Sequence, residues 1–244
     1  MPDNCSPSLA ITSSISSQLI ANLTLSAFEA NPPAIQEILL QSKSEQTFTG
    51  ILANQIMHYE EFGFTQLSEK HPGAVLLEFK GTDYQKIENG KIKPSRNFHD
   101  LSVVNQQGEL EVIIENKFWY HFDGSKGVKK PAPNRGIHKQ LGADIFKIRK
   151  SLSEESRDGR GFILLHIVTP LSPELLPKTY QTSHQALWQR AEQNLEQYRR
   201  KGLEGVLKIL GEFLDTDLVD YSTTSSPLTH DKGFLDIICA EVKL

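Results

Sequence analysis

Residues 97–119 read NFHDLSVVNQQGELEVIIENKFW, and this stretch decides the fold. It predicts two strands joined by a turn. The first, from about Phe98 to Val104, carries Asp100. Gln106, Gln107 and Gly108 supply the turn, and the second strand runs from about Leu110 to Phe118. Leu110, Val112, Ile113 and Ile114 make the apolar run of a strand buried in the middle of a sheet. The run stops abruptly at Glu115-Asn116-Lys117. Burying a carboxylate and an ammonium costs several kcal/mol unless they are paired or bind a metal.

Side chains alternate along a strand, so Glu115 and Lys117 leave the same face, about 7 Å apart, while Asn116 points the other way. Pairing the two strands as a hairpin brings Asp100 beside Glu115. Two hard oxygen ligands on neighbouring strands, with a lysine one step further, suit a Mg²⁺ ion and an attacking water beside a phosphodiester. The plain alternative is an exposed hairpin whose Glu and Lys form a weak surface pair.

Working outward, Ser44 reads as an N-cap. Phe48, Ile51, Leu52, Gln55 and Ile56 then give a helical stripe to about Tyr59, with Glu45 in the first turn, where an acid also favours the helix dipole. A shorter helix from about Ala34 to Leu40 follows Pro32-Pro33, and the Ser-rich residues 1–18 read as loose or weakly helical. Ala74 to Lys80 predicts a strand, and Asn89-Gly90 a second turn before Arg96. Past the central hairpin, Ile137, Leu141, Ile145, Ile148 and Leu152 form an amphipathic helical stripe. Gly161 to Val168 is a buried strand, in which His166 is expected to be a hydrogen-bonded core histidine. Two helices, about Ser183 to Arg200 and Leu203 to Leu214, are predicted to be separated near Gly202.

Asp100, fourteen intervening residues, then Glu115-Asn116-Lys117 resembles the signature of the PD-(D/E)xK nuclease superfamily, although His99 stands where that pattern often has proline. The resemblance implies an α/β, restriction-endonuclease-like core of helix, three antiparallel strands, helix and strand over residues 44–170. Residues 1–43 would be an N-terminal helical or loose extension, and 171–244 a helical pair with a closing strand, all in a single domain. It implies Mg²⁺ (or Mn²⁺) held by Asp100, Glu115 and the Asn116 backbone carbonyl. Lys117 would orient or help deprotonate the attacking water, and Glu45, with Glu60 and Glu61 as rivals, would supply the helix carboxylate. Lys139 and Gln140 match the position of a helix residue that touches the site or the DNA. The implied activity is a DNA endonuclease of restriction, defence or repair, leaving a 5′-phosphate and a 3′-hydroxyl. The alternative is a catalytically silent nucleic-acid-binding or assembly module on the same fold.

Charge supports a DNA partner only locally. The net charge is −4, but between Gly124 and Lys150 eight basic residues (Lys126, Lys129, Lys130, Arg135, Lys139, Lys147, Arg149, Lys150) face one acid, Asp144. Cys5 and Cys239 have no metal spacing and are too few for a disulfide framework, which fits a reducing cytoplasm. No stretch approaches the roughly 20 apolar residues that cross a bilayer, and no secretory leader pattern opens the chain. The eight histidines lack zinc spacing. Cutting both strands of a duplex would call for two sites, hence a homodimer. Asp236, Glu241 and Lys243 repeat the motif in miniature, but the gap between the acids is too short for a turn and a returning strand.

Overall fold

The computed structural model of the chain describes residues 15–41, 45–58, 74–80, 84–88, 91–95, 98–104, 110–120, 136–155, 159–170, 195–228 and 233–244. Three helices come first, α1 (Ser17–Glu29), α2 (Pro33–Gln41) and α3 (Glu45–His58). Strands β1 (Ala74–Lys80), β2 (Tyr84–Glu88), β3 (Lys91–Ser95), β4 (Phe98–Val104) and β5 (Leu110–Tyr120) follow. Helix α4 (Ile137–Glu155) leads to β6 (Arg160–Pro170), and α5 (Leu195–Gly211) to β7 (Leu218–Pro227) and β8 (Gly233–Val242).

The main sheet is mixed and six-stranded, in the order β1-β4-β5-β6-β8-β7; every neighbouring pair is antiparallel except β5 and β6. Those two run parallel because α4 carries the chain back across the sheet, as a parallel connection requires. The antiparallel trio expected from the sequence is therefore one half of a larger sheet. The strand at the end of the sequence does not close an edge. Leu235, Ile237, Ile238, Cys239 and Ala240 are all buried, so β8 sits inside the sheet between β6 and β7. The edge is β7, a strand the sequence hides: its Ser- and Thr-rich, mostly exposed residues carry little apolar alternation. β2 and β3 pair with each other in a separate two-stranded sheet among the described residues, and the Asn89-Gly90 expected to turn lies outside them.

Each face of the sheet has its own core. On one, Leu101, Val112, Ile114, Phe118 and Tyr120 pack with Ile20 and Phe28 of α1 and Phe48, Leu52 and Ile56 of α3. On the other, Ile113, Trp119, Ile163 and Leu165 pack with the α4 stripe and with Val206, Ile209 and Leu210 of α5. α4 lies directly on β6 at Gly161, where a Cβ would overlap Ile148 Cγ2. Among the described residues no helix is long and apolar enough to cross a membrane.

Helix α1 begins at Ser17, within the extension expected to be helical or loose, because Ser16 is its N-cap, accepting from Leu19 N at 3.2 Å. Two expectations are corrected. The break at Gly202 is absent. Gly202 is buried within a continuous α5, where packing of the stripe that follows it, Val206, Ile209 and Leu210, outweighs the roughly 1 kcal/mol that a helical glycine costs. His166 has no hydrogen bond on either ring nitrogen among the described residues; its ring packs 4.4 Å from Phe48, and burial pushes its pKa down to about 3.

Candidate functional site

Besides Glu111 near its start, the apolar rows of β5 are interrupted by Asn116 towards α3 and by Glu115 and Lys117 towards α4. The β4–β5 ladder pairs Leu101 with Ile114, Ser102 with Ile113 and Val103 with Val112, so one further step sets Asp100 opposite Glu115. The ladder ends there, and two carboxylates take over. Asp100 Oδ2 accepts the Asn116 N–H at 2.7 Å, and Glu45 Oε1, from the first turn of α3, accepts the Phe118 N–H at 3.0 Å. Each occupies the place of a neighbouring strand's carbonyl. The Asn116 amide donates to Thr49 Oγ1, which donates in turn to the Glu45 carbonyl at 2.7 Å, tying β5 to α3.

Glu115 is fully buried and its two oxygens are engaged. Oε1 lies 2.7 Å from His99 Nδ1, and His99 Nε2 lies 2.8 Å from Ser151 Oγ. Oε2 accepts from Lys147 Nζ, which also donates to the Phe98 carbonyl at 2.7 Å. Burial holds the Glu115 carboxyl well above the usual carboxylate range; Lys147 opposes this, while Asp100 and Asp144 add to it. Ser151, His99 and Glu115 have the connectivity of an acyl-transfer triad. All three are 0% exposed, so no acyl donor reaches Ser151 Oγ, and the chain instead orients Glu115.

Lys117 reaches the surface beside an open cleft of about 510 Å³, which it lines with Glu45, Trp119, Gln140 and Asp144. Its Nζ donates to the Asn116 carbonyl at 2.7 Å and lies 3.3 Å from Asp144 Oδ2 and 3.9 Å from Asp100 Oδ2. Burial works against its charge, but Asp144, Asp100, Glu115 and Glu45 outweigh it and hold its pKa above the ordinary lysine value. Burial likewise raises the Asp144 carboxyl, against the pull of Lys117 and Lys147.

One helix face organises these contacts. Gln140, Asp144, Lys147 and Ser151 recur at helical spacing beside the apolar stripe. They meet Trp119 (Nε1 to Oε1, 3.3 Å), Lys117, Glu115 and His99 in turn. A helical turn advances about 5.4 Å and two strand residues about 6.7 Å, so α4 stays in step with alternate residues of β5. Among the described residues no three His, Cys, Asp or Glu side chains converge closely enough to hold a metal by themselves.

No family model, no curated protein and no solved structure matches this chain. The site must be read from its own chemistry.

The structure brings Asp100, Glu115, Asn116, Lys117 and Glu45 together where the β4–β5 ladder ends, with Gln140 also lining the cleft. It does not turn Glu115 to the cleft. Lys139 is exposed on α4. Lys126, Lys129, Lys130, Arg135, Glu60, Glu61, Arg96 and the N-cap Ser44 lie outside the described residues. The basic run is not a free patch throughout, since Lys147 holds Glu115 and Arg149 pairs with Asp217. The C-terminal repeat of the motif is structural: Asp236 is gripped by Arg199 and Glu241 by Arg160. Sequence reasoning misses His99, Asp144, Lys147 and Ser151 as site residues. Their signal is the polar stripe at 140, 144, 147 and 151, together with the single acid between Gly124 and Lys150.

Proposed function

We propose that this chain is a Mg²⁺-dependent nuclease that hydrolyses DNA phosphodiesters, the activity its resemblance to the PD-(D/E)xK superfamily implies. The observation that carries the reading is the meeting of Asp100, the Asn116 carbonyl and Lys117 beside an open cleft, where the β4–β5 ladder ends. These hard oxygens fit a Mg²⁺ ion, which commonly uses one or two carboxylates and keeps several waters. Asp100 and the Asn116 carbonyl would hold it directly. Glu115 would join them by exchanging the Lys147 ammonium on Oε2 for the metal. Bound there, the ion would lower the pKa of a water and neutralise phosphate charge.

The remaining work falls to the chain's own groups. Lys117 keeps its proton at neutral pH, which makes it a stabiliser of charge on the phosphate rather than a base. Glu45 and Gln140 border the space a phosphodiester would enter. Attack by the water oxygen on phosphorus breaks the bond to the 3′ oxygen, leaving a 3′-hydroxyl and a 5′-phosphate. Cleavage of both strands would draw on two copies of the chain.

The test is nicking of plasmid DNA with Mg²⁺ against EDTA, repeated with Lys117→Ala. Loss of activity by at least about a hundredfold is expected, the scale of a single charge-stabilising or proton-handling group. Undiminished cleavage by the variant would refute the assignment. The enclosure of Glu115 by His99 and Lys147 favours a second reading, a nucleic-acid-binding module that does not cut. It predicts salt-dependent DNA binding with no cleavage in any divalent ion.

A further inference from the structure

The least explained side chain beside the cleft is Asp144. It projects from α4, the helix whose neighbouring sequence is otherwise basic, yet it is only 9% exposed. Its Oδ2 has no hydrogen bond among the described residues. The cost of burying that oxygen is offset by the charge of Lys117. The atom is aimed at the Lys117 ammonium, 3.3 Å away, without the geometry of a hydrogen bond. The same ammonium has the Asn116 carbonyl at 2.7 Å and Asp100 Oδ2 at 3.9 Å. Oxygens from β4, β5 and α4 thus surround one positive charge at the edge of an open cleft.

We propose that Asp144 is a ligand of a divalent-cation site shared with Asp100 and the Asn116 carbonyl, and that the Lys117 ammonium is the internal cation that fills this site when no metal is bound. The inference rests on the metal-dependent reading of the site and extends it to a residue on a different element. Two carboxylates and one carbonyl suit a hard cation that keeps waters for its remaining positions. Binding moves Lys117 out of the ring of oxygens and into the cleft, where substrate charge awaits it. An ordinary ion pair between Lys117 and Asp144 makes the opposite prediction for one variant. If Lys117 only pairs, removing its charge creates no metal site. If it is a placeholder, its removal leaves two carboxylates facing each other and sharpens the demand for a cation.

The experiment is direct titration of the full chain with Mn²⁺, read as loss of the free-ion electron paramagnetic resonance signal, with Mg²⁺ as competitor. The variants are Asp144→Asn, Asp144→Glu, Lys117→Met and Asp100→Asn, each checked for a cooperative metal-free melt. Asp144→Asn is expected to weaken binding at least about tenfold, since even outer-shell partners act on that scale. Asp144→Glu should recover part of the loss, and Lys117→Met should bind at least as tightly as the parent chain. Equal affinity in Asp144→Asn and the parent, with loss only in Asp100→Asn, would overturn this inference and leave the nuclease proposal standing. Weaker binding in Lys117→Met would also overturn it. Absence of saturable binding in every form would remove the site and the metal-dependent activity together.

Discussion

Replacing Lys147 by methionine tests the arrangement behind the cleft. The substitution keeps an unbranched side chain and deletes the ammonium that satisfies Glu115 Oε2 and the Phe98 carbonyl. Removing one partner of a buried pair costs about 3–5 kcal/mol, because the other charge is left enclosed. Here the Glu115 side chain is 1% exposed and that of Lys147 17%, so the lower end, about 3 kcal/mol, applies. A chain of this size shifts its melting temperature by roughly 2–4 °C per kcal/mol, which gives a fall of about 6–12 °C at pH 7. The assay is thermal unfolding followed by circular dichroism at pH 7 and pH 5, with the double variant Glu115→Gln/Lys147→Met alongside. The loss should shrink as the pH is lowered, because burial favours the protonated Glu115 carboxyl and the ammonium that opposed this is gone. The double variant should recover about 2 kcal/mol, the coupling expected of contacting partners. A fall below about 1 kcal/mol, or equal falls at the two pH values, would refute the claim that Lys147 neutralises a buried Glu115.

Two further outcomes follow from the same geometry. Burial raises the Glu115 carboxyl, so the folded chain holds that proton more tightly than the unfolded one; its stabilising contribution is full below the unfolded pKa and is lost as pH rises through the folded value. Lowering the pH from 7 towards 5 should therefore raise the melting temperature of the parent chain relative to Glu115→Gln, and parallel pH profiles would contradict it. Gly161→Ala should cost about 1–3 kcal/mol in a urea melt, since the new methyl meets Ile148 Cγ2 and comes within 3.3 Å of Leu152 Cδ1; an unchanged midpoint would mean that α4 does not rest on β6 there.

The sequence made the centre of the fold legible because its strong periodicities are local. Ile113 and Ile114 mark a buried strand, and Ile137 to Leu152 a helix stripe, and both form as their patterns require. The β4–β5 pairing is the one expected of two apolar runs so close in sequence, although Gln106, Gln107 and Gly108 lie outside the described residues. What the sequence concealed depends on partners distant along the chain. β7 looks polar because an edge strand need bury only part of itself, and β8 gives no sign that it has neighbours on both sides. Gly202 is a helix breaker by propensity alone, yet it is itself buried and the apolar face that follows it, Leu203 to Leu210, packs in one core. At the site, alternation placed Glu115 and Lys117 on a common face, but alternation says nothing of what covers that face. The covering groups come from α4, so a carboxylate expected at a cation emerged locked to His99 and Lys147. Conversely, Asp144 carried a legible anomaly, one acid among basic neighbours, whose meaning required knowing that it faces Lys117.

The two acids that take over from β4 along β5 give the cleft an unusual mechanical character. Asp100 and Glu45 each spend an oxygen on the main chain, at Asn116 and Phe118, where β4 and β5 diverge like the arms of a fork. A guest that drew either carboxylate towards itself would loosen the crotch of that fork, and one that left both in place would stiffen it. Occupancy of the cleft and the rigidity of the central strand are thus mediated by the same atoms.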